Sequence, residues 1–238
     1  MSLDRSYGRK VSESNKRALK VARPGNYGRE PGINPGDRTS AYNAHIEQLL
    51  ACCACPNVFA GAVVQPVPHA RIMLVGQAPG SHELIDRRPF AYTAGKRLFA
   101  WFESTGVSEE NFRAYVHIGA VLRCFPGKAR GGGDRVPDPV EIARCGEHLD
   151  RELRILRPRL VIAVGALAAQ QLVGDAVLSR VVGVLHRAER ADVGFDLVVM
   201  PHPSGRSTWL NRTEHAALLA QSLDLISNHE AFRKTFFE

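Results

Sequence analysis

Two short segments hold the side chains best suited to act together on a small ligand. Gly76-Gln77-Ala78-Pro79-Gly80 offers glycines that permit close approach to the backbone and an amide at Gln77. Pro201-His202-Pro203-Ser204 offers an imidazole and a hydroxyl. An imidazole donates or accepts a proton near neutral pH, so two such loops facing each other can hold a planar polar group and stabilise charge developing on it. The second chemical set is the cysteines, Cys52, Cys53, Cys55, Cys124 and Cys145. Cys52-x-x-Cys55 puts two thiols within reach of one metal site. With Cys124 and Cys145 they make four thiolates, which suit zinc or an iron–sulfur cluster. Spacing does not separate these two, and plain burial of the thiols stays open beside them.

Both loops follow apolar, strand-like runs, residues 71–75 and 197–200. Further runs at 115–122 and 160–164 read as buried strands, and amphipathic stretches at 39–51, 95–104, 140–156, 166–172 and 213–226 read as helices. Thr213 is the expected N-cap of the last. The alternation predicts a three-layer α/β/α sandwich with a central, mostly parallel four-stranded sheet. In such a sheet, loops leaving the carboxyl ends of the strands converge on a ligand crevice, which is where both chemical loops fall.

The 238 residues, 45% hydrophobic, suffice for one substantial core, read as a single domain over 39–238. Residues 1–38 lack the apolar stretch of a secretory signal and read as a basic, flexible arm. No run is long and apolar enough for a membrane span, so a cytoplasmic protein is expected, nucleoid-associated if bacterial. A formal net charge of +7 favours a polyanionic partner. The charge gathers in the arm and in Arg123, Lys128, Arg130 and Arg135 around Gly131-Gly132-Gly133, read either as a solvated segment or as phosphate-tracking loops. Gly95-Lys96 lacks the flanking residues of a nucleotide-binding P-loop.

Taken in order, the motifs resemble those of the family 4, iron–sulfur-containing uracil-DNA glycosylases. The segments are Cys52-Cys53-Ala54-Cys55-Pro56, Gly76-Gln77-Ala78-Pro79-Gly80, Arg88-Pro89-Phe90-Ala91-Tyr92-Thr93-Ala94-Gly95, Arg123-Cys124-Phe125-Pro126-Gly127, Cys145, and His202-Pro203-Ser204. The resemblance implies a monofunctional glycosylase that cuts the N-glycosidic bond of uracil or a related deaminated base in DNA, leaving an abasic site. It also implies a [4Fe-4S] cluster, in preference to zinc, on Cys52, Cys55, Cys124 and Cys145, and DNA as the partner; the oligomeric state is left open, with a monomer favoured. The residues between Cys124 and Cys145 are more numerous than the family pattern has, and Gly131-Gly132-Gly133 reads as an insertion.

The implied roles follow the motifs. His202 donates to the departing base, Phe90 stacks on it, and Gly76, Ala78, Gly80 and Ala120 line the base pocket. Ser204, Arg206 and Arg212 contact DNA, with Arg206 or Trp209 available to fill the gap left by a flipped base. Gln77 stands where the family has Glu, and an amide cannot act as a base, so Glu83, with His82 and Asp86 or a largely dissociative route as alternatives, is carried forward beside Gln77 and His202 as a catalytic candidate. Ala120 stands where the family places a base-reading Asn. These two departures motivate an alternative, a DNA-binding, damage-sensing or covalently trapping member of the same fold.

Overall fold

The computed structural model describes residues 35–205 and 208–238. Helix α1 spans Pro35–Leu50 and so begins ahead of the expected 39. Proline suits a first helical turn, whose N–H groups have no partner inside the helix. The rest of the basic arm lies outside the described residues.

Five strands form one sheet in the order β2-β1-β3-β5-β4. They are β1 (Ile72–Gly76), β2 (Val116–Ala120), β3 (Leu160–Val164), β4 (Leu185–Arg190) and β5 (Val193–Met200). β1 runs parallel to β2 and β3, and β3 runs parallel to β5. β4 pairs antiparallel with β5 and closes one edge. The expectation of four strands is therefore corrected to five. β4 carries Leu185-His186-Arg187-Ala188-Glu189-Arg190 with only Ala188 buried, so it has no apolar run to announce it. Its Ala188–Glu189 pair faces Phe195 and Gly194 across a turn at Ala191 and Asp192, both with positive φ.

Strand residues alternate between two cores. Ile72, Leu74, Ile118, Ile162 and Val198 pack with Phe99, Phe102 and Phe112 on one face. Met73, Val75, Val161, Ala163 and Val199 pack with Leu149, Leu153 and Leu172 on the other. The first face is covered by α3 (Thr93–Glu103), α4 (Glu109–Tyr115), α8 (Thr213–Asn228) and α9 (Glu230–Phe236). The second is covered by α5 (Pro139–Leu156) and α6 (Ala166–Leu172). Helix and sheet layers thus stack as expected, with α1 lying on α5 through Tyr42, Ile46, Leu49 and Leu156. Two short helices, α2 (Ser81–Asp86) and α7 (Leu178–Val181), complete the element set. α8 begins at Thr213, but its N-cap position is Arg212 and no side chain caps it. No helix among the described residues is long and apolar enough to cross a membrane.

Candidate active site

β1, β2 and β5 are parallel, so the loops that leave them emerge at the same edge of the sheet. There they surround a cavity of about 670 Å³ whose walls include Gln77, Phe90, Ala120, Asp134, His202 and Ser204. Gly76, Ala78, Gly80 and Glu83 line it as well, so the two loops singled out by residue type do face one space. The Gln77 loop is pinned to the chain after β2: the Val121 N–H donates to Gly76 O at 2.9 Å and Leu122 N–H to Gln77 O at 3.0 Å.

The His202 side chain rests on Gly165, the turn between β3 and α6. Gly165 has φ +89°, which favours glycine, and a Cβ there would stand 3.3 Å from the His202 Cβ, a tight approach. The Ser204 N–H donates to His202 Nδ1 at 3.2 Å. A ring nitrogen that accepts an amide proton carries none of its own, so the neutral ring bears its hydrogen on Nε2. Burial pushes the His202 pKa below the ordinary histidine value, and the Asp134 carboxylate opposes this only in part. The cavity is therefore served by a neutral imidazole poised to donate. Arg97 Nη1 donates to Ser204 O at 3.4 Å from the α3 side.

Phe90 sits at φ +52°, an uncommon conformation for an aromatic residue. Arg113 on α4 holds it there: Nη2 donates to Phe90 O and Nη1 to Pro89 O, both at 2.9 Å. Glu109 Oε1 accepts from Arg113 Nε at 2.8 Å, and the guanidinium lies 4.3 Å from the centroid of the Phe99 ring. On the other side a Cβ at Gly95 would collide with Phe90 O, and one at Gly76 would stand 3.1 Å from the Phe90 ring. The ring edge is thus pressed against the end of β1, at the cavity wall.

Other expected positions fare differently. Glu83 Oε2 accepts the Gly80 N–H at 3.1 Å at the start of α2, which engages one carboxylate oxygen locally. Arg212 pairs with Glu214 at 2.7 Å on the exposed start of α8. Trp209 stacks on His215 at 4.1 Å and packs against the core, so it props the loop and is not free as a wedge. Arg206 lies outside the described residues.

Three of the four cations read as phosphate-tracking are engaged within the protein, Lys128 with Asp134 at 2.6 Å. Arg123 is fully buried against Glu152. Arg135 donates to Glu141 at 2.5 and 2.8 Å and to Asn57 O at 2.9 Å. Arg113, Arg97 and Asp134 escaped the sequence reading. The glycine run before Asp134 was a visible signal of an unusual loop, whereas nothing in one sequence marks Arg113.

The cysteines gather in a second place, around the segment that follows β2. Cys52, Cys53, Cys55, Cys124 and Cys145 line a cavity of about 250 Å³ between the end of α1, the loop after β2 and α5. Burial raises the Cys124 thiol pKa, and Cys52 and Cys55 raise it further. Burial pushes Cys145 up to about 11. The Arg123 N–H donates to Cys145 Sγ at 3.3 Å, and Arg144 Nη1 donates to Ala54 O at 2.7 Å, tying the Cys loop to α5. Among the described residues, no three His, Cys, Asp or Glu side chains stand close enough to hold a single metal ion.

A parallel sheet whose loops bring an Nε2–H imidazole, a braced aromatic ring and a glycine-rich turn around one crevice defines a small-ligand site. The family model described as the uracil DNA glycosylase superfamily matches residues 64–224. The chain belongs to that superfamily. It is 33% identical over 140 residues to a type-4 uracil-DNA glycosylase of Archaeoglobus fulgidus, covering 57% of this chain and 66% of the relative. It is likewise 33% identical over 128 residues to a type-4 uracil-DNA glycosylase of Thermotoga maritima, covering 51% and 60%. Similarity extends to a type-5 uracil-DNA glycosylase of Thermus thermophilus, 29% identical over 160 residues, covering 54% and 70%. The chain spans less than two thirds of the length of the type-4 relatives, 66% at most in these two pairs.

Proposed function

We propose that this protein is a base-excision DNA glycosylase that hydrolyses the N-glycosidic bond of uracil or a related deaminated base and leaves an abasic site. The observation that carries the reading is His202, with Nδ1 engaged by the Ser204 amide and Nε2 left to donate into the cavity shared with Gln77 and Phe90. Excision requires the base to leave the stack and enter such a pocket. Phe90 offers it an aromatic face. As the bond from C1′ to the base nitrogen breaks, its electron pair moves onto the base. A hydrogen bond from His202 Nε2 to a base carbonyl oxygen strengthens as that charge grows, which lowers the barrier. Water supplies the hydroxyl on C1′, and its remaining proton balances the charge on the departing base.

Ala120 leaves the pocket without a side-chain amide at the base-reading position, so discrimination among bases rests on backbone groups and cavity shape. Similarity to relatives named as type-4 and as type-5 uracil-DNA glycosylases supports the activity. The test is a panel of single- and double-stranded oligonucleotides bearing uracil, hypoxanthine or xanthine. Release of at least one base with an alkali-labile abasic product is expected, and absence of release from every substrate sinks the proposal.

Arg113 is the positioning residue for Phe90. Arg113→Ala is expected to lower the single-turnover rate by a factor on the order of 10², since displacement of a positioned group by an ångström costs about that much. Affinity for undamaged duplex, measured by fluorescence anisotropy, should stay unchanged.

For the cysteine cavity the residues fit a [4Fe-4S] cluster better than one zinc ion. The thiols of Cys52, Cys55, Cys124 and Cys145 face one space, and burial with the neighbouring sulfurs raises the Cys55 and Cys124 pKa values. A single zinc at about 2.3 Å from each sulfur needs them far closer together than a cluster does. When bound, the cluster cross-links the Cys loop, the chain after β2 and α5, and its iron performs no part of base excision. Anaerobically purified protein should be brown and contain about four irons per chain. Cys124→Ser should lose both colour and iron, as read by metal analysis; colourless protein with stoichiometric zinc overturns the assignment.

A further inference from the structure

Gln77 cannot take a proton from water, and one Glu83 carboxylate oxygen is engaged by the Gly80 N–H. A third acidic side chain reaches the same wall. Asp134 lines the cavity with His202 and Gln77, and its Oδ2 lies 2.9 Å from the point a Cβ on Gly80 would occupy. Its other oxygen, Oδ1, is held by Lys128 Nζ at 2.6 Å. From the opposite side, Asp134 is the charged group felt by the His202 ring.

The glycine-rich insertion builds this placement. Lys128 and Asp134 face each other as an antiparallel bridge. The turn between them is closed by the Gly132 N–H to Ala129 O at 3.0 Å and the Ala129 N–H to Gly133 O at 2.9 Å. Gly132 and Gly133 have φ of +75° and +80°, which glycine adopts at little cost. Behind the turn, the Arg135 N–H donates to Gly127 O at 2.9 Å and its guanidinium grips Glu141. Asp138 and Glu141 then lock the start of α5 in a capping box. Both ends of the hairpin are therefore tied down, and the carboxylate is presented from a braced loop.

Resting on the glycosylase reading above, we propose that Asp134 is a catalytic residue that binds and deprotonates the hydrolytic water, taking the place of the carboxylate that Gln77 lacks. The water oxygen forms a bond to C1′ as the bond to the base breaks. The water proton passes to the Asp134 carboxylate, and the electron pair of the broken bond leaves on the base, steadied by His202. The departing base anion later takes up a proton from solvent, and Asp134 returns its own.

The test is single-turnover excision on whichever substrate wild-type protein cleaves. Asp134→Asn should lower the rate by about 10² or more, the span usual for loss of a general base. Affinity for DNA carrying a non-cleavable analogue of that nucleotide should be retained. Asp134→Ala should regain rate on addition of formate, which a purely structural role would not produce, and Asp134→Glu should recover part of the activity.

An unchanged rate in Asp134→Asn overturns the inference and leaves the glycosylase reading intact. Loss in Glu83→Gln without loss in Asp134→Asn also overturns it, by assigning the water to Glu83. Wild-type protein that releases no base from any substrate refutes the glycosylase reading, and this inference falls with it.

Discussion

His202→Ala should reduce single-turnover base release by about 10²–10³-fold, the usual consequence of removing one donor aimed at a developing anion. Binding to DNA with a non-cleavable nucleotide should change far less, because the donor matters most when charge has moved onto the base. His202→Gln keeps a donor in the same region and should fall between the two. Equal losses in binding and in rate would mean that the ring serves affinity alone.

The same residue sets a sign for pH. Burial favours the neutral ring, so as pH falls below the ordinary histidine value of about 6.5, the unfolded chain takes up a proton at this position before the folded chain does. His202 therefore withdraws stability on acidification, with its contribution intact above that pH and lost as pH drops through the lowered folded value. Melting curves at several pH values should show a shallower acid-side decline in His202→Ala than in wild type.

The largest effect on stability is expected at Glu152. Its carboxylate and the Arg123 guanidinium form an ion pair with no solvent exposure on either side chain. His117 Nε2 lies 3.3 Å and His45 Nε2 3.6 Å from the same carboxylate, and Tyr42 Oη bonds His117 Nδ1 at 2.8 Å. Burial alone would raise the Glu152 pKa, but Arg123, His117 and His45 together hold it well below the usual carboxylate range. Glu152→Ala leaves the Arg123 charge buried and unpaired.

Breaking such a pair from one side costs about 3–5 kcal/mol. In a domain of this size each kcal/mol moves Tm by about 2–4 °C, so a fall on the order of 10 °C is expected by calorimetry. The double variant Arg123→Met with Glu152→Leu should recover much of that loss, since apolar replacement of a buried pair is often close to neutral. Recovery would show that the single-variant cost came from the stranded charge. Because the Arg123 N–H donates to Cys145 Sγ and its guanidinium lies under Gly119, Glu152→Ala should also weaken the hold on the proposed cluster, read as lower iron content.

How much of this was legible beforehand differs from residue to residue. β3 and α6 lie where apolar runs and helical spacing place them, because buried parallel strands and amphipathic helices announce themselves through local pattern. β4 did not, since an edge strand satisfies its pairing through the backbone and tolerates polar residues on both faces. Arg123 read as one more loop cation, yet it is buried, because the charge that compensates it sits on α5, far away in sequence.

The order of the motifs determined the superfamily, the location of the crevice and the identity of the two facing loops, all of which rest on residue types at short spacing. Only the tertiary structure decided which nitrogen of His202 carries the proton, what holds Phe90 in its strained conformation, and which acids share the crevice with Gln77. Each of these depends on a partner brought in from a distant segment: Gly165 and the turn at Ser204, Arg113 on α4, and the hairpin that carries Asp134. Packing made those contacts, and no local pattern encodes them.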